Sequence, residues 1–157
     1  WNGYRANPNE PAYVSLADVV GIARRVGGEA HHFRVIQAPL NLAMPEAFGF
    51  ANQVVNGKVM SLLEAAGQLG AAVVTSAALM QSRLASLPKP LAGFFPGLAA
   101  DAQRALQFAR STPGVTTALV GMKRRAHVED NLSLASHPAL TREQIAALFA
   151  RKGRTPT

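Results

Sequence analysis

The chain has 157 residues, no cysteine, 48% hydrophobic and 16% charged residues, a composition that suits one globular domain and excludes disulfides and thiolate-bound metals. Its net charge is +7, and 12 of the 16 basic residues are arginine, which admits a phosphorylated ligand, a nucleic acid or an acidic surface as partner. With 6% aromatics a base-stacking surface has few rings to work with, and no apolar run approaches the roughly 20 residues that span a bilayer, so neither nucleic acid nor membrane is an expected partner.

The opening WNGYRANPNEP is polar and turn-rich, unlike a signal peptide, and its start at Trp1 rather than Met is expected to be a cut edge. The absence of cysteine leans toward a cytoplasmic setting. Leu16, Val19, Val20 and Ala23 then recur at helical spacing behind Ser15, with Asp18 three residues on as a variant capping box. FRVIQA (33–38) is short and continuously apolar, as expected of a strand covered on both faces in a parallel sheet. Val59, Leu62, Leu63, Ala66 and Leu69 predict a second helix, ended by Gly70. AAVVTS (71–76) predicts a second strand. The segment from Met80 to Gly97, with three prolines and two phenylalanines, reads as a long loop that either closes over a site or packs its rings down. Leu98, Ala102, Ala105, Leu106 and Ala109 form a third helix face, stopped by Pro113-Gly114. TTALVG (116–121) predicts the third strand. A fourth helix follows over about 125–134, and a fifth starts at Thr141 with Gln144 in the capping-box position.

Helices and strands therefore alternate, the pattern of crossover units that build a parallel sheet. A closed (β/α)8 barrel typically takes about 250 residues, so 157 residues form either a small doubly wound domain or half a barrel. Half a barrel leaves edges unpaired and predicts self-association through them.

No GxGxxG, GxxxxGK[ST], HExxH or GxSxG motif is present, adjacent His31 and His32 do not share a helix face, and no carboxylate pair reads as an acid/base couple. The richest cluster is GMKRRAHVEDN (121–131). It follows a strand and opens a helix, so Lys123, Arg124 and Arg125 sit where cations oppose the helix dipole and a bound anion relieves that cost. A solvated basic turn is the plain alternative.

The runs VIQAPLNL, AAVVTSAALMQSRL and STPGVTTALVGMKRRAHVEDNL resemble, in order, the last three barrel strands of aldo-keto reductases, and WNGYR resembles the chain just after the fifth. The resemblance covers nearly the whole chain and implies an α/β fold, the C-terminal half of a (β/α)8 TIM barrel, as one partial domain over 1–157 with the first half absent. It implies NADP(H) as cofactor and a small-molecule carbonyl substrate in the parent protein. By position, Gln37 matches the glutamine that bonds the nicotinamide carboxamide, and Gln81 the glutamine in the loop where the pyrophosphate passes. Gly121 belongs to the nucleotide-binding turn, Lys123 and Arg124 match the positions that meet the 2′-phosphate, and His127, Asp130 and Asn131 those that meet adenosine. Ser76 stands in the cofactor site where the family has a Trp or Tyr stacking on the nicotinamide, a departure that puts nicotinamide orientation in question. Ala77 replaces the following Ser, and His127 the usual Arg or Gln. The family's catalytic tetrad comes from the first four β/α units, and neither Tyr4 nor Tyr13 matches it, so no catalytic residue is assigned and the chain alone is expected to be inactive. The alternative is a non-catalytic binding or assembly module of half-barrel type.

Overall fold

Ser15 stops the polar N-terminal segment by accepting the Asp18 N–H at 3.2 Å, and helix α1 (Leu16–Gly27) begins behind it, burying Leu16 and Val20. The computed structural model describes residues 2–150, so Trp1 and residues 151–157 of the expected domain lie outside the described residues. The chain continues through β1 (Val35–Pro39), a one-turn α2 (Glu46–Gly49), β2 (Ala51–Val55), β3 (Lys58–Ser61), α3 (Leu62–Leu69) and β4 (Ala72–Ser76). After the long loop come α4 (Asp101–Ser111), the two-residue β5 (Thr117–Ala118), α5 (Arg125–Ser133) and α6 (Arg142–Ala150).

Strands β1, β4 and β5 form one parallel sheet in that order, with Val35 opposite Ala72 and Val74 opposite Thr117. Strands β4 and β5 lie within the runs whose apolar composition predicts strands, and β1 overlaps its run and continues one residue past it, to Pro39. One expectation is corrected, because these strands are not covered on both faces. Ile36, Ala38, Val73 and Thr75 are buried toward the helices, whereas Val35, Gln37, Thr117 and Leu119 on the other face are exposed. Since side chains alternate along a strand, the open face comprises Val35, Gln37, Pro39, Ala72, Val74, Ser76, Thr117 and Leu119, none of them charged.

A second correction concerns residues 51–61. Val59 is not on a helix: it pairs with Val54 in the antiparallel hairpin β2–β3 and is 64% exposed. The turn is Asn56-Gly57, with φ of 52° and 73°, the left-handed pair that two-residue hairpins use. Helix α3 starts only after it. Its capping box joins Ser61 and Glu64, and Gly70 closes it in the left-handed conformation. Its buried Leu62, Leu63, Ala65 and Ala66 are central to the core.

The hairpin has a task at the N-terminus. Gln53, 1% exposed, donates to the carbonyls of Tyr4 (2.8 Å) and Val14 (3.1 Å) and accepts the Leu16 N–H at 2.8 Å. Asn52 donates to the carbonyls of Tyr4 and Ala6, and the Tyr13 hydroxyl donates to the Asn52 carbonyl. Residues 2–14 are thus clamped onto β2.

On the opposite side, α4 fixes the last two helices. Arg110 donates to the carbonyls of Leu134 and His137, Gln107 to that of Pro138, and Gln103 to the Asp130 carbonyl and the Ser133 hydroxyl. These bonds all reach residues 130–138. Helix α5 itself buries no side chain before Leu134. Helix α6 packs Ile145 and Leu148 inward, with Phe149 edge-on to Phe108 at 5.8 Å between ring centres. The loop before α4 also packs down, burying Phe95 and Leu98, and Asp101 accepts the Leu87 N–H at 2.9 Å.

Candidate functional site

Parallel strands all deliver their C-terminal ends to one edge, which in open α/β sheets and barrels is the edge that binds ligands. Most of the residues singled out by sequence are gathered here. Gln37 sits mid-strand in β1 on the open face, Ser76 is the last residue of β4, and Gln81 follows in the loop. Gly121, Lys123 and Arg124 follow β5, and His127, Asp130 and Asn131 lie on α5. The order β1, β4, β5 puts Gln37, Ser76 and the chain leading to the 121–124 turn on successive strands about 4.8 Å apart.

The three cations differ in a way the sequence does not reveal. Arg125 pairs with Glu129 at 2.7 Å, one turn on. Lys123 and Arg124 are exposed and make no ion pair within 4 Å among the described residues. Arg124 occupies the N-cap of α5 but provides no side-chain acceptor, so the first N–H groups of the helix are uncapped beside two uncompensated positive charges.

The loop after β4 has an unusual backbone. Ala77, Met80, Gln81 and Ser82 all have positive φ, between 46° and 68°, without a glycine among them. Each such residue costs on the order of 1–2 kcal/mol relative to its right-handed form. The Ala77 carbonyl accepts the Met80 N–H at 2.8 Å, while the N–H groups of Gln81 and Ser82 donate to no acceptor among the described residues.

Sequence reasoning missed Asn41, which is fully buried. Its Nδ2 donates to the Ala77 carbonyl at 2.8 Å, and its Oδ1 accepts the N–H groups of Ala43 and Met44, both at 2.9 Å. The available signal was an Asn two residues past a strand end and ahead of Pro45, where such a side chain closes a turn on its own backbone.

Burial pushes the Tyr4 phenol up, and burial followed by the nearby Asp18 charge does the same to Tyr13. The Leu87 N–H and then Arg104 hold the Asp101 carboxyl below the usual range, and Ser61 does so for Glu64. Beside Gln37, an apolar recess of about 450 Å³ runs along the free side of β1, lined by Tyr4, Val14, Phe33, Val35 and Ile36. Among the described residues no three His, Asp or Glu side chains group as metal ligands, and no helix is long and apolar enough to cross a membrane.

Neither family models nor curated proteins give a match to the sequence. Solved structures do. The chain is similar to the thermostable aldo-keto reductase Tm1743 in complex with the inhibitor epalrestat, at TM-score 0.54 and 17% identity, covering 78% of this chain and 41% of that one. It is also similar to aldo-keto reductase AKR11C1 from Bacillus halodurans. The holo form gives TM-score 0.53 at 15% identity over 83% of this chain and 54% of that one; the apo form gives 0.54 at 13% over 92% and 58%. The likeness is one of fold: parallel strands alternating with helices, as part of an aldo-keto reductase (β/α)8 barrel. The chain spans between 41% and 58% of the length of these structures.

Proposed function

We propose that this chain is the nucleotide-binding half of an NADP(H)-dependent aldo-keto reductase. The observation that carries the reading is the pair Lys123 and Arg124, uncompensated at the N-terminus of α5 on the ligand-binding edge of the sheet. A 2′-phosphate supplies the negative charge that this arrangement lacks. The free N–H groups of Gln81 and Ser82 suit the pyrophosphate, and His127, Asp130 and Asn131 the adenosine. Gln37, on the open face of β1, suits the carboxamide end. Bound NADPH supplies the hydride that reduces a small carbonyl substrate; the residues here hold the cofactor, and none of them is assigned the proton transfer. A cytoplasmic enzyme fits the absence of cysteine.

Ser76 favours a second reading. It offers no ring to stack on a nicotinamide, and the two tyrosines have raised rather than lowered pKa values. A non-catalytic module that keeps the adenosine end of the site accommodates both facts.

The test is a fluorescence titration of the Lys123→Ala/Arg124→Ala variant with NADP(H) and NAD(H). Each charge-assisted bond contributes on the order of 1.5–3 kcal/mol, so losing both is expected to weaken NADP(H) roughly 100-fold or more while NAD(H) changes little. Small, equal changes for both cofactors would mean that the cluster is a solvated turn.

A further inference from the structure

We infer that Asn41 is a positioning residue for the phosphate-binding loop 77–82, an inference that rests on the nucleotide reading above. The backbone ladder between β1 and β4 ends with the Leu40 N–H donating to the Ser76 carbonyl at 3.2 Å. One residue further the two chains diverge, and the Asn41 side chain takes over. Its Nδ2 reaches the Ala77 carbonyl at 2.8 Å and adds a rung that the backbone does not provide. The opposite end of the same amide is fixed, since Oδ1 accepts from Ala43 and Met44, and the Asn41 and Met44 backbones bond each other at 3.0 and 3.2 Å. Asn41 is therefore a rigid strut with no exposed atom.

What it holds is the start of the left-handed run. The Ala77 carbonyl receives two donors, Asn41 Nδ2 from the β1 side and the Met80 N–H from within the loop. Non-glycine residues stay in the left-handed region only where their surroundings over-determine them, and two hydrogen bonds to one buttressed carbonyl do that at Ala77. The turn so fixed leaves the N–H groups of Gln81 and Ser82 without acceptors among the described residues. Without Nδ2 the carbonyl keeps only its local partner, and Ala77 can relax toward negative φ and reorient those N–H groups. Asn41 thus acts on the ligand through Ala77, and only on the part of the ligand that crosses this loop.

That restriction defines the experiment. Isothermal titration compares NADPH, which spans the loop, with 2′-AMP, which has the 2′-phosphate and adenosine for the Lys123–Arg124 end but no pyrophosphate. Asn41→Asp keeps the acceptor for Ala43 and Met44 but loses the donor to Ala77. It is expected to weaken NADPH about tenfold, equivalent to about 1.4 kcal/mol, and to leave 2′-AMP within about twofold. Adding Ala77→Gly, which removes the cost of positive φ, is expected to restore part of the loss. Equal weakening of both ligands, or of neither, overturns the positioning role while leaving the nucleotide site intact. Failure of the unmodified chain to bind 2′-AMP overturns the nucleotide reading and this inference with it. Should the Asn41 variant not fold, amide hydrogen exchange on the unmodified chain decides: protection at Gln81 and Ser82 is expected with NADPH and not with 2′-AMP, and its absence with NADPH overturns the proposal.

Discussion

Replacing Gln53 with leucine keeps the side-chain volume close to native and removes all three of its hydrogen bonds. Two of the affected groups, the Leu16 N–H at the start of α1 and the Val14 carbonyl, have no second partner among the described residues, whereas the Tyr4 carbonyl keeps its bond from Asn52. At about 1 kcal/mol for each buried bond, the expected loss is about 3 kcal/mol, because water cannot re-solvate groups packed around a residue only 1% exposed. For a chain of this size that corresponds to roughly 6–12 °C in Tm. Urea unfolding, followed by circular dichroism and repeated calorimetrically, measures it. Tyr13→Phe is the internal control: it removes only the bond to the Asn52 carbonyl at the edge of the clamp and is expected to cost about 1 kcal/mol. A Gln53→Leu loss under about 1 kcal/mol would refute the idea that the N-terminal segment is held by this amide.

Two further outcomes follow from charge and surface. Asp101 has a folded-state pKa below its ordinary value of 3.8, so its contribution to stability is present at neutral pH and fades as pH falls through that value toward the depressed one. Asp101→Asn is therefore expected to be destabilising at pH 7 and progressively less so in acid, as urea midpoints across the range report; an unchanged difference would detach Asp101 from the acid limb. The uncharged open face, with Val35 55% and Leu119 47% exposed beside unpaired strand edges, is expected to drive self-association of the 157-residue chain, read by light scattering during size-exclusion chromatography. A cooperatively melting monomer would argue against that.

Sequence legibility followed the range of the interactions involved. The caps at Ser15, Ser61, Gly70 and Thr141 are written in residues at most three apart, and the sequence alone predicts Ser15, Gly70 and the Thr141/Gln144 pair, each of which its hydrogen bonds or conformation bear out. The hairpin is a different case. Asn56-Gly57 between apolar residues is a strong turn signal, but Val59 also fits the helical spacing of Leu62, Leu63 and Ala66, and that longer-period pattern conceals the turn. The strands were located, but composition cannot show whether the second face of an apolar strand is covered. At the site, the residue types of the basic cluster are legible; that Glu129 compensates Arg125 rather than Lys123 or Arg124 depends on side-chain direction one helical turn on, which the sequence does not show. Asn41, Asn52 and Gln53 stayed hidden because the carbonyls they bond lie 36 to 49 residues away and any residue can supply a carbonyl.

The anchoring of α5 has a mechanical consequence. The bonds from α4 toward α5 reach residues 130–138, at and just past the C-terminal end of the helix, while residues 121–124 at its other end touch nothing among the described residues by hydrogen bond or ion pair except through the helix backbone. The nine-residue helix is then a lever about 13 Å long, pivoting at Gln103 and Arg110. A tilt of about 10° at the pivot displaces the cation-bearing tip by roughly 2 Å, close to the difference between a direct and a water-bridged phosphate contact. Substitutions on α4 are therefore expected to shift Lys123 and Arg124 without touching either residue.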